Sequence, residues 1–146
     1  MKKYFMVAVV IAIGSIGCNK QKTEETRGDN PLIGKWIWIK SVGGVAGNVI
    51  MPMEGEKRTL EFHGNFTCTI TQIGPNPVRY TDQYLLFSIN DITTNQEAPA
   101  VALYDETKRP LIPQIIEKNN DTLVLKDNCV DCYRHYYKAV VSTTTN

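Results

Sequence analysis

"RTLEFHGNFTCTITQI", residues 58–73, decides the fold. Leu60 and Phe62 fall on one face of an extended chain, and Phe66, Cys68 and Ile70 oppose Thr67, Thr69 and Thr71. That is the period of two expected of half-buried strands, in which successive side chains point to opposite faces. Between the runs stands His63-Gly64-Asn65, a tight hairpin turn in which Gly64 supplies a positive φ. Two antiparallel strands, 57–63 and 66–73, are therefore predicted around one short turn.

The pattern repeats outward in both directions. Runs rich in Ile, Val, Thr, Tyr and Phe cover 33–42, 78–89, 100–105, 112–118, 122–127 and 133–141. "GPNP" at 74–77, "NND" at 119–121 and "DNCVD" at 127–131 separate them as turns. The longest excursions are "GGVAGNVIMPMEGE", 43–56, and "NDITTNQEAPA", 90–100. Almost nowhere do apolar residues recur at the i, i+3, i+4 spacing of an amphipathic helix. Sequential hairpins specify an antiparallel meander, and eight such strands close naturally into an up-and-down barrel without exposed edges. The expectation is thus an all-β, eight-stranded antiparallel up-and-down barrel over 32–141. Its last strand closes against the first, and Trp36 and Trp38 share an inward face while Ile37 and Ile39 point outward. Successive turns alternate ends, which puts Cys129 and Cys132 opposite His63 and well over ~10 Å from Cys68.

The N-terminus sets the compartment. "MKKYFMVAVVIAIGSIGC", 1–18, has a basic start, an apolar run and then small residues, the layout of a secretory signal. Its apolar run is about ten residues, against the ~20 needed to span a bilayer. Because the small residues end at a cysteine, the segment resembles a bacterial lipoprotein signal with "SIGC" as lipobox. That resemblance implies a signal peptide over 1–17, lipid on Cys18 as a membrane anchor, and a polar tether through residue 31. Asn19 is not the Asp associated with inner-membrane retention, and Gln21–Glu25 resembles tethers of surface lipoproteins. The implied location is the outer membrane of a Gram-negative bacterium, periplasmic or surface-facing. Residues 142–146 read as a disordered tail.

Charge excludes one class of partner. The chain's 16 Lys and Arg stand against 15 Asp and Glu; loss of Lys2 and Lys3 with the signal leaves 14 against 15, a net charge of −1. No nucleic-acid surface is expected.

Removing Cys18 leaves Cys68, Cys129 and Cys132 in an oxidising compartment, so at least one thiol stays unpaired. "DNCVDCYRHYYK", 127–138, offers a C-x-x-C with His135 three residues on. A zinc half-site lacks a second ligand pair, and a redox dithiol lacks the helix N-terminus that would lower its pKa. A Cys129–Cys132 disulfide across the turn is the leading alternative, with free thiols next and no metal site expected. Ser41 and Ser88 lack a G-x-S-x-G context, and the carboxylate pairs Glu54/Glu56 and Asp105/Glu106 fall in loops. The chain is read as no enzyme, without cofactor. Asp121-Thr122-Leu123 matches a short bacterial O-glycosylation motif but reads more simply as a turn entering a strand.

"LIGKWIWIKSVGG", 32–44, contains Gly34-x-Trp36, which resembles the opening strand of lipocalins. The ordered set "GKW", "GG", "TLEF" with its Gly turn and "FT", "APAVALYD", and "DTLVLKDNC-x-D-x-Y-x-H-x-Y" is closer to the lipocalin-like domain of bacterial surface and outer-membrane lipoproteins. The resemblance covers 32–141. It implies a lipid-anchored barrel without enzymatic activity. A long-range disulfide of that family from the first loop is missing here, because Val42 stands near its position and Cys132 replaces an expected Gly. Residues lining a ligand site would be Trp36, Trp38, Phe62, Phe66, Cys68, Tyr84, Tyr133 and Tyr137. The expected function is non-catalytic binding of a small apolar or amphipathic ligand. The alternative is a module with a filled barrel that holds an envelope protein or a glycan.

Overall fold

The computed structural model describes residues 30–141. The signal peptide expected over 1–17, the lipidated Cys18, the tether up to residue 29 and the tail 142–146 lie outside them. Among the described residues the chain is all-β, with ten strands. They are β1 (Gly34–Gly43), β2 (Asn48–Ile50), β3 (Lys57–Phe62), β4 (Thr67–Ile73), β5 (Val78–Gln83), β6 (Leu85–Asp91), β7 (Gln96–Ala102), β8 (Gln114–Asn119), β9 (Thr122–Asp127) and β10 (Arg134–Ala139). All pairings are antiparallel, in the order β5-β4-β3-β1-β10-β9-β8-β7-β6, with β2 added to β1. The meander and the pairing of the last strand with the first are present, with Trp38 opposite Tyr137 and Ser41 opposite His135.

The eight-stranded closed barrel is corrected. The run expected as one strand, 78–89, divides at Tyr84: β5 pairs only with β4, and β6 only with β7. The hydrogen-bonded ladder is therefore open. Its two edge strands are nonetheless consecutive in the chain. Were the nine strands of the path laid flat, eight spacings of ~4.8 Å would separate those edges by roughly 38 Å. One residue cannot span that, so the sheet curls until its edges meet at Tyr84. The Tyr84 N–H donates to the Phe66 carbonyl at 2.9 Å, which carries the β4–β5 ladder one rung further to this junction.

Three further expectations change. In the 63–65 turn the left-handed residue is Phe66 (φ 60), not Gly64. That strain, of order 1–3 kcal/mol for a bulky residue, aims the Phe66 carbonyl at Tyr84. The 90–100 excursion is short, because β7 begins at Gln96. Pro99 has no N–H for the neighbouring ladder, and β7 meets β8 only at Ala100 and Val101. Finally, the 43–56 excursion contains β2, which continues the edge of β1 beyond β3.

The core lies on the concave face. Leu32, Trp36, Leu60, Phe62, Cys68, Tyr84, Val101, Leu103, Ile116, Leu123 and Leu125 form one buried cluster, with Phe66, Ile70, Leu86, Tyr137 and Ala139 packed on it. Leu32 precedes β1 and plugs one end. Its carbonyl accepts the Trp36 Nε1–H at 2.7 Å, and its own N–H donates to Asn30 Oδ1.

Candidate functional site

Six of the eight expected ligand-lining residues are brought together in the core. Trp36, Phe62, Cys68 and Tyr84 are buried, and Phe66 and Tyr137 lie against them. Phe62 meets Tyr84 edge-on at 5.1 Å, and Phe66 lies 5.7 Å from the same ring. Burial pushes the Cys68 thiol up to about 12 and raises the Tyr137 phenol above its ordinary value, as expected of groups cut off from water. Trp38 is buried outside this cluster, with the Arg58 guanidinium 4.5 Å over its ring. Tyr133 stands half-buried by the last turn, its ring stacked beside His135 at 6.3 Å. Phe66 and Tyr84 also border an open cleft of about 400 Å³, with Asn65, Gln83, Leu85 and Leu86.

A polar chain missed by the sequence reading crosses four strands. Trp38 Nε1–H donates to Ser41 Oγ at 2.9 Å, and Ser41 Oγ lies 2.8 Å from His135 Nδ1. His135 Nε2 is 3.4 Å from Asp127 Oδ2, while Gln114 Nε2–H donates to Asp127 Oδ1 at 2.8 Å. Strict alternation would turn Ser41 outward with Ile37 and Ile39. A register irregularity between Trp38 and Lys40 reverses the parity, so Ser41 shares the face of Trp38. Burial acts to raise the Asp127 pKa, but hydrogen bonds from His135 and Gln114 outweigh it and hold the carboxyl below its ordinary value.

Serine, histidine and aspartate in this order have the roles of nucleophile, base and orienting acid. Attack on a substrate requires an accessible oxygen, however, and Ser41 is 4% exposed with its oxygen already receiving the Trp38 N–H. What the arrangement does in this geometry is tie β1, β10, β9 and β8 together at one end.

A second polar group closes the β6–β7 hairpin onto the sheet. Lys126 and Asp91 are both buried, with Nζ 2.7 and 2.8 Å from the carboxylate oxygens and 2.5 Å from Thr93 Oγ1. The Lys126 hydrogen bond, then those from Thr93, hold Asp91 well below the usual carboxylate range. Asn128 completes the clasp by accepting from the Ile92 N–H and donating to the Asn90 carbonyl.

Three further surfaces are open among the described residues. Strand β1 spans ten residues, ~30 Å at ~3.3 Å per residue, so the 43–56 arm lies at the far end from Asn30. That arm exposes Val45 (92%), Val49, Ile50, Met51 and Met53. Ile70, Gln72, Val78 and Tyr80 floor a cleft of about 280 Å³, rimmed by Asp105, Glu106, Thr107 and Arg109. On the convex face Thr59, Thr69 and Thr71 line a shallow groove of about 190 Å³ between Lys35, Lys57 and Arg79.

Cys129 and Cys132 are bonded to each other across the β9–β10 turn, their Cα atoms 5.5 Å apart, and Cys68 is a buried free thiol. Among the described residues no group of three or more His, Cys, Asp and Glu is arranged to hold a metal. In comparisons with known proteins, no family model, no curated protein and no solved structure matches the chain.

Proposed function

We propose that this protein is a lipid-anchored, non-catalytic binding module of the Gram-negative envelope, held by Cys18, that docks an envelope protein through its 43–56 arm. The observation that carries the reading is the filling of the concave face. Side chains from β1, β3, β4, β8 and β9 meet there with Phe62, Leu123 and Leu125 fully buried, which leaves little room for a guest. The apolar surface a binder needs is found instead on the arm. Contiguous exposed apolar residues are unusual on a solitary soluble domain and mark contact sites. The arm leaves β1 at the end away from Asn30, the first described residue, and the test separates a protein partner from the anchoring bilayer.

The test places a photo-crosslinking amino acid at Val45, and in a second strain at Thr71, in the full-length protein in its native envelope. A discrete protein adduct is expected at position 45 only, abolished by Val49→Ser with Met51→Ser while the thermal transition is kept. Crosslinking of Val45 to phospholipid, or equal adducts at both positions, would overturn the reading.

One observation favours a small amphipathic ligand as a second reading. The cleft over Ile70 and Tyr80 combines an apolar floor with Asp105 and Arg109 at its rim, near the lower bound of ~300 Å³ for ligand pockets. Native mass spectrometry of the protein from its host, before and after Tyr80→Ala, decides it through a bound mass that disappears.

A further inference from the structure

Strand β6 pairs along its whole length with β7 and, among the described residues, with no strand on its other side. In an antiparallel strand alternate residues turn both main-chain polar groups to the same side. The Asp91 carbonyl is taken within the β6–β7 turn by the Asn95 N–H, so Asn90 faces away from β7, where Asn128 binds it. Ser88 and Leu86 share that outward parity. Their outward groups find no hydrogen-bond partner among the described residues. Natural edge strands are protected by lysine, proline or an inward charge. Between Gln83 and Asp91 this edge has none of these, and Leu85 (54%) and Phe87 (39%) are exposed along it.

We infer that β6 is a self-association edge, on which a second copy of this chain adds its own β6 antiparallel about Phe87. Setting Leu86 opposite Ser88 of the second copy matches outward groups to outward groups and forms two hydrogen-bonded pairs, four bonds in all, related by a two-fold axis. Phe87 then faces Phe87, and Leu85 faces Ile89, all uncharged. Asn128 stops the open stretch at Asn90, leaving a window of the length that this pairing uses. The chain's own N-terminal segment is the competing occupant, because Asn30 Nδ2 donates to the Tyr84 O–H oxygen at 2.5 Å beside the start of β6. Residues 19–29, "NKQKTEETRGD", contain no apolar side chain to cover Leu85 and Phe87. A neutral copy of the same edge meets no like charge. This inference is independent of the 43–56 arm.

The test uses the full-length lipoprotein in membranes and after detergent extraction. At the two-fold axis Phe87 and its mate form a non-hydrogen-bonded pair, ~4.5 Å between Cα atoms, which a disulfide can bridge. Phe87→Cys is therefore expected to give a covalent dimer on non-reducing gels, and Ser88→Cys, which faces Leu86, much less. Ser88→Pro removes an N–H that β7 does not use. It is expected to weaken dimerisation about tenfold or more while far-UV circular dichroism and the melting transition persist. Wild-type protein sedimenting as a monomer overturns the inference. So does Phe87→Cys trapping a different protein, or the two cysteine variants crosslinking equally.

Discussion

Replacing Tyr84 tests how the sheet is closed. Its side chain is fully buried between Phe62 and Phe66, at the single residue joining the two edges of the sheet. An aromatic ring of this kind buries ~150–250 Å², which at ~25 cal/mol per Å² is roughly 4–6 kcal/mol. That is an upper figure, because the unfolded chain already hides part of the area. Truncations of buried aromatics to alanine run at about 3–5 kcal/mol, so Tyr84→Ala is expected to lose about 4 kcal/mol. Against a total of about 5–15 kcal/mol this is a large share, corresponding to a fall in Tm of roughly 15–25 °C. Tyr84→Phe keeps the ring and removes only the hydroxyl, which accepts from Asn30 and donates to the His63 carbonyl at 3.3 Å. It should lose about 1–2 kcal/mol. Urea unfolding followed by tryptophan fluorescence measures both variants against wild type. If Tyr84→Ala lies within ~1 kcal/mol of wild type, or the two variants are equally destabilised, the ring is not what holds the edges together.

Gly43→Ala should destabilise by about 2 kcal/mol or more in the same assay, because its Cβ would lie 2.2 Å from the Cys132 carbonyl oxygen and 2.7 Å from Tyr133 Cα, both main chain. Wild-type stability there would show that the β9–β10 turn can yield. Acid should weaken the fold through carboxylates with depressed pKa values. The Thr107 hydroxyl and the Arg109 N–H hold Asp105 at about 2, and Lys126 holds Asp91 lower still. Such groups stabilise above their unfolded pKa of ~3.9 and lose that contribution as pH falls through the folded value. Melting temperature should therefore fall from about pH 4 to about pH 2, less steeply in Asp105→Asn, and an unchanged slope in that variant counts against the assignment. Cys68, pushed up to about 12 by burial, should resist Ellman's reagent in the native protein. Apart from Cys18, one thiol should then react in denaturant and three after reduction, and native labelling within minutes would contradict that burial.

Strand order was legible because it rests on local signals. Period-two alternation in 58–73, the turn residues at 63–65, 74–77 and 119–121, and Trp36 in the opening strand all report on neighbours a few residues apart. What escaped depends on partners far along the chain. Tyr80, Tyr84 and Leu86 keep one parity, so nothing in "VRYTDQYLLFSI" announces that the two halves of the run serve different neighbours. "QEAP" reads as loop, yet Gln96 and Glu97 have strand partners in β6. Alternation with Leu123 and Leu125 puts Lys126 on the outer face, yet it is buried because the β6–β7 tip folds over it. The Ser41–His135 contact was hidden by one inserted residue. Its only trace is the unbroken apolar run Trp36–Ile39, which violates alternation and is the kind of place where a bulge resets a strand's faces.

The pairing of β1 with β10 joins positions about a hundred residues apart, and the Val140 N–H donates to the Lys35 carbonyl at 2.8 Å. The two termini of the domain thus lie side by side, so the chain could be made continuous there and cut elsewhere. Linking 141 to 32 and opening the 74–77 turn would turn this contact into an ordinary hairpin and make β4–β5 the most distant pairing in its place, with every strand keeping its neighbours. Closing a long loop is an entropic toll on the folding rate more than on the final stability. Such a permutant should reach the same structure by a different order of pairing, with β1–β10 formed early and β4–β5 late, which makes the placement of the ends a kinetic property of this sheet.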